Sequence, residues 1–132
     1  LEVQLPFLQS VLDSFTLVPL VVGECTANQV AEVLELLWDG DETLIVISSD
    51  LSHYHSYETA REMDRRTSDA ILNLSPEDIH YADACGRNPV NGLLLAARHH
   101  KLKPSLIDLR NSGDTAGTRD RVVGYGAYLF CS

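Results

Sequence analysis

Apolar positions along this chain follow two rhythms, a helical period and short unbroken runs. Leu5, Leu8 and Leu12 repeat at helical spacing, so a helix is expected over 1–12, kinked or started near Pro6. Thr16 to Val22 is apolar and β-branched and reads as a strand. Thr26-Ala27-Asn28-Gln29 has the form of a capping box, in which a threonine hydroxyl and a glutamine side chain satisfy each other's backbone N–H groups. Val30, Val33, Leu34 and Leu37 then mark one buried helical face, and Gly40 is expected to stop that helix. Thr43 to Ser48 is an apolar run that ends abruptly at Ser48-Ser49-Asp50, as a strand buried on both faces does.

The second half repeats these devices. Ala60, Met63, Ala70, Ile71 and Leu74 give a helical face over 56–74. Ser75-Pro76 and Asn88-Pro89 each place a capping residue before a proline, launching a short helix and a longer one that runs to about His100. Leu106 to Leu109 and Val122 to Phe130 read as strands joined by the glycine-rich loop Asn111 to Gly117, and they are able to pair as a hairpin. The early alternation of helix and strand predicts an α/β fold: a mixed, mostly parallel sheet flanked by helices, in one domain over 1–132.

Composition narrows the function. Ten Lys and Arg stand against nineteen Asp and Glu, a formal charge of −9, which argues against a nucleic-acid partner held by bulk electrostatics. No apolar run is long enough to span a bilayer, so no membrane association is expected. The three cysteines, Cys25, Cys85 and Cys131, lack any close pairing, and reduced thiols in a cytoplasmic setting are expected. The first residue is Leu1, so the chain reads as a fragment or a processed product.

Candidate chemistry gathers where the apolar run of 43–48 ends. In open α/β sheets ligands bind beyond the carboxyl ends of the strands, and Asp50 and His53 occupy that position. A histidine beside a carboxylate serves as an acid–base group, and the alternative is an aspartate that caps the turn with a histidine bonded locally. His55 offers a second imidazole but is expected in a solvent-facing loop. Cys85 precedes a capped helix, where the dipole favours a thiolate able to bind metal; the alternative is a small buried hydrophobe. Ser48 or Ser49 with His53 and Asp114 invites a hydrolase reading, but the chain lacks the Gly-x-Ser-x-Gly elbow. His80, His99 and His100 show no ligand spacing among themselves and are expected at helix ends on the surface.

Four blocks, in order, carry a family resemblance: Leu1-Glu2-Val3-Gln4-Leu5-Pro6-Phe7-Leu8, Ile47 to Tyr54, Ala84-Cys85-Gly86-Arg87-Asn88-Pro89, and Asn111 to Gly117 with Val122 to Ala127. The chain resembles the Memo-like family, whose microbial members are called AmmeMemoRadiSam system protein B. The resemblance implies a fold like that of class III extradiol (LigB-type) dioxygenases, of the phosphorylase/hydrolase-like kind, and metal-dependent oxidoreductase chemistry with iron or copper. It implies that His53 is the acid–base catalyst, that Asp50 lines the same pocket, and that Cys85 is a metal ligand replacing a carboxylate. A thiolate there favours softer ions such as Cu(I). Ser49, Arg87, Asn88 and Asp114 fall in the same blocks and are expected to line the pocket.

The resemblance also places the family's two metal-binding histidines in an N-terminal region outside this chain, one of them just before the Leu1-Glu2 block. The chain is therefore expected to be the C-terminal portion of a Memo-like domain and to bind no metal tightly alone. A functional link to radical-SAM and AMMECR-type proteins is a further implication of the family. The rival expectation is a non-catalytic protein that uses a vestigial pocket to bind a peptide or small ligand.

Overall fold

The computed structural model describes residues 2–38, 40–115 and 117–132. Leu1, and Ala116 of the expected glycine-rich loop, lie outside them. A 3-10 turn, Glu2–Gln4, leads into α1, Leu5–Val11, which carries Pro6 in its first turn. Helix α2 spans Ala27–Leu37, and the expected capping box at Thr26 and Gln29 is formed in both directions. It ends at Trp38 rather than on Gly40, whose positive φ of 86° serves the turn that follows. Helices α3, Tyr57–Leu72, and α4, Arg87–His99, agree with the sequence pattern to within a residue or two. Both end in a Schellman turn: Ser75 N–H reaches Ala70 O at 2.8 Å and Leu102 N–H reaches Ala97 O at 2.9 Å. The left-handed residues these turns need are Leu74 and Lys101 instead of glycine.

Strands β1 (His53–His55), β2 (Lys103–Asn111) and β3 (Val122–Cys131) form one antiparallel sheet in the order β1-β3-β2. The α/β character is as expected, and β2 and β3 pair as the expected hairpin. The parallel sheet is not what the described residues form. Thr16 to Val22 and Thr43 to Ser48, expected as strands, take part in no ladder. A strand exists through its neighbour's N–H and C=O groups, and among the described residues these runs have no neighbouring strand. Val18, Val21 and Leu44 are accordingly exposed at 65%, 91% and 69%. Conversely, His55, expected in a loop, lies in the strand His53–His55, because Val122 and Val123 offer it a partner. The register shifts between His53 and His55, with Tyr54 held at a φ of 63°, a bulge that re-aims the side chains on either side.

Two apolar clusters share α4. Leu94 packs with Ala70, Ile71 and Ile79, flanked by Tyr128 and Phe130 of β3. Ala96 and Leu93 pack with Val30 and Leu34 of α2, joined by Val22, Cys25, Trp38 and Ile45. The run Leu93 to Ala97 is apolar on more than one side, so α4 is covered by α2 on one flank and by α3 and the sheet on the other.

Candidate functional site

The segment carrying Asp50 and His53 is fixed from within. Leu51 N–H donates to Gly124 O, and Gly124 N–H donates to Ser52 O, both at 2.9 Å. Ser52 N–H donates to the buried carboxylate of Asp64 at 2.9 Å. The dipeptide between Asp50 and His53 is thereby pinned to β3 on one side and α3 on the other. Burial pushes the Asp64 carboxyl above its ordinary range, against the lowering effect of the Ser52 N–H. Asp64 was not singled out from the sequence, although it lies on the same helical face as Ala60, Thr67, Ala70 and Ile71, which are buried.

Cys85 arrives from the other direction, immediately before Gly86, the N-cap of α4. Gly86 N–H donates to Ser49 Oγ at 2.9 Å, Ser49 Oγ donates to Asp50 O at 2.7 Å, and Asp50 N–H donates to Cys85 Sγ at 3.3 Å. Ser49 Oγ itself stands 3.7 Å from Cys85 Sγ. Gly86 is needed for this approach, since a Cβ there would stand 2.7 Å from Ser49 Cβ. His53 Nε2 lies 3.4 Å from Asp50 Oδ2. One ligand atom from each of Asp50, His53 and Cys85 therefore falls within 4.8 Å of the other two. Segments thirty-five residues apart in the chain meet here.

The remaining sequence candidates surround this cluster or lie elsewhere. Arg87 donates to Asn88 Oδ1 at 3.1 Å and its guanidinium lies 5.9 Å from the Tyr81 ring centroid. Asn88 Nδ2 donates to Gly23 O at 2.9 Å, tying the start of α4 to the chain before α2. His55 is half-buried and stands outside the three-residue cluster. Asp114 is engaged by the Tyr57 hydroxyl and by Asn111 N–H, and Ser49 by its own neighbours, so no Ser–His–Asp relay is formed among the described residues.

The Tyr57 hydroxyl, then the Asn111 N–H, holds the Asp114 carboxyl below its ordinary range. A carboxyl with a depressed folded-state pKa contributes stability above its unfolded pKa, and that contribution disappears as pH falls through the folded value. Tyr57→Phe is expected to move the Asp114 titration upward toward its unfolded value, so less stability is lost on the acid side and over a narrower pH window. A carboxyl-carbon NMR titration reads this directly, and an unmoved Asp114 would refute the hydrogen bond as cause.

A second constellation escaped the sequence reading. His99 and His100 do stand at a helix end as expected, but both rings converge on Glu35 of α2. His99 Nδ1 lies 3.0 Å from Glu35 Oε1 and His100 Nε2 lies 2.9 Å from Oε2. These hydrogen bonds, His99 first and then His100, hold the Glu35 carboxyl below its ordinary range. Only the packing of α2 on α4 brings the three together, so no local spacing signals them.

The fold and this geometry define an α/β protein with an acid–imidazole–thiol cluster between a pinned loop and a helix start. The chain matches the family model described as Memo-like protein over residues 1–129. It is 35% identical over 144 aligned residues to a MEMO1 family protein of Methanosarcina mazei, covering 98% of this chain and 53% of the relative. Similar proteins occur in Aeropyrum pernix, 36% identical over 139 residues with 96% and 50% covered, and in Sulfurisphaera tokodaii, 32% over 144 residues with 98% and 50% covered. The chain belongs to the Memo-like family. It spans about half the length of the curated relatives it matches. Among the described residues no helix is long and apolar enough to cross a membrane.

Proposed function

We propose that Cys85, His53 and Asp50 form one wall of a metal pocket of the class III extradiol dioxygenase type, in a cytoplasmic protein working beside radical-SAM and AMMECR-type partners. The observation that carries this reading is the convergence of a thiol, an imidazole and a carboxylate within 4.8 Å. The Cys85 donor suits the assignment, because a thiolate sulfur selects iron or copper over hard cations such as calcium. Cys85 would hold the metal through Sγ, with further ligands supplied from outside this chain. A bound iron or copper would supply Lewis acidity and one-electron chemistry.

The chain's own residues have separate tasks. His53 holds or releases a proton at Nε2, and Asp50, 3.4 Å away, orients that imidazole. Asp50 N–H and the Ser49 hydroxyl fix the position of Sγ. Metal analysis of the full-length protein tests the reading. Wild type should carry iron or copper in stoichiometric amount, Cys85→Ser should lose most of it, and His53→Ala should keep it while losing any oxidative activity. Absence of metal from wild type, or full occupancy in Cys85→Ser, would overturn the metal pocket.

A further inference from the structure

The geometry points to a second metal site, formed by Glu35, His99 and His100, that takes a divalent cation of the zinc class and clasps α2 to α4. The three ligand atoms lie within 4.8 Å of one another and comprise two imidazole nitrogens and one carboxylate oxygen. Such a set matches tetrahedral zinc with one position left open. It is too rich in nitrogen for calcium or magnesium, and it lacks the sulfur that Cu(I) prefers.

The surroundings hold the ligands in place. Val30 meets Gly92 and Glu35 meets His99, so α2 and α4 run in the same direction and finish side by side. Glu35 lies in the last turn of α2, His99 is the last residue of α4 and His100 is its C-cap. Two helix C-termini, each the negative end of its dipole, therefore lie beside the site, and a cation is the charge they favour. The Schellman turn at Lys101 and Leu102 fixes the backbone behind His100. The Trp38 ring stacks on His100 at 4.3 Å between centroids and 23° between planes, which limits its rotation. Glu35 and His99 also line an open groove with Asn28, Glu32, Leu36 and Leu95, so the fourth position faces solvent.

This site is independent of Cys85, and the test uses that fact. The Cys85→Ser chain, stripped with a chelator, is titrated with Zn²⁺ and separately with Co²⁺. A single equivalent should bind, the melting temperature should climb with zinc concentration, and bound cobalt should show ligand-field bands without thiolate charge transfer. Glu35→Gln and His99→Gln should each weaken zinc binding about tenfold or more. His99 has a side chain 74% exposed, so its replacement leaves the packing intact and keeps the test decisive if Glu35→Gln misfolds. No saturable zinc binding in Cys85→Ser, or unchanged affinity in His99→Gln, would overturn the site. Neither result bears on the iron or copper comparison made at Cys85.

Discussion

Gly124→Ala is expected to destabilise the protein by about 3 kcal/mol or more, at the upper end of overpacking effects. Gly124 lies in β3 opposite Asn111 of β2, with its N–H and C=O both given to the Leu51–Ser52 segment. A methyl group there would overlap Asp64 Oδ2 and stand 2.5 Å from Asp64 Cγ and 2.7 Å from Oδ1. The carboxylate has no room to retreat, because it is 3% exposed and holds Ser52 N–H at 2.9 Å. Relief requires either α3 to move off the sheet or the Leu51–Ser52 pairing to break, and both displace Asp50 and His53. Urea denaturation of a double-mutant cycle measures this. Asp64→Ala alone should cost about 1–3 kcal/mol, since it leaves the Ser52 N–H without its acceptor. Combined with Gly124→Ala it should cost clearly less than the sum. Strict additivity would rule out the close approach as cause.

The same carboxyl gives a pH dependence with a definite sign. Its folded-state pKa is raised by burial, so the native state binds more protons than the unfolded chain in the window above about 4, where an unfolded aspartate titrates. Stability is fully present below that window and falls as pH rises through the raised value. Asp64→Asn keeps an acceptor oxygen for Ser52 and should flatten this decline.

Gly92→Ala is expected to lose about 2 kcal/mol net, although alanine in a helix interior gains about 1 kcal/mol over glycine. The added methyl would overlap Val30 Cβ and Cγ1 and stand 3.3 Å from Ala27 O, on the line where α4 crosses α2. Truncating Val30 to alanine leaves its Cβ in the way, so only Val30→Gly makes space. In that background Gly92→Ala should turn from destabilising to stabilising. Forcing the helices apart also separates His99 and His100 from Glu35, so zinc binding should weaken along with stability. A wild-type chain made more stable by Gly92→Ala would show that the crossing is looser than described.

Local devices were legible from sequence because their causes are local. The Thr26–Gln29 capping box, the helical periods of α2, α3 and α4, the proline after Ser75 and the hairpin of β2 and β3 each depend on residues close in the chain. Proximity of Asp50 to His53 also followed from their spacing. That Cys85 meets them depends on Gly86 admitting Ser49 against the start of α4, and neither residue signals the other in sequence. Asp64 was not legible: in sequence it is one more charge between the apolar positions of α3, and only its burial and the Ser52 N–H it holds mark it out.

Residue order by itself therefore determined where this chain turns helical and where it bends. Tertiary structure decided which segments become strands and which side chains meet. His53–His55 joins the sheet because β3 lies beside it, while the more strand-like run at 43–48 has no ladder among the described residues. The difference is physical: capping and helical period close hydrogen bonds within one segment, whereas a strand and a ligand cluster need groups from a distant segment held at fixed distance.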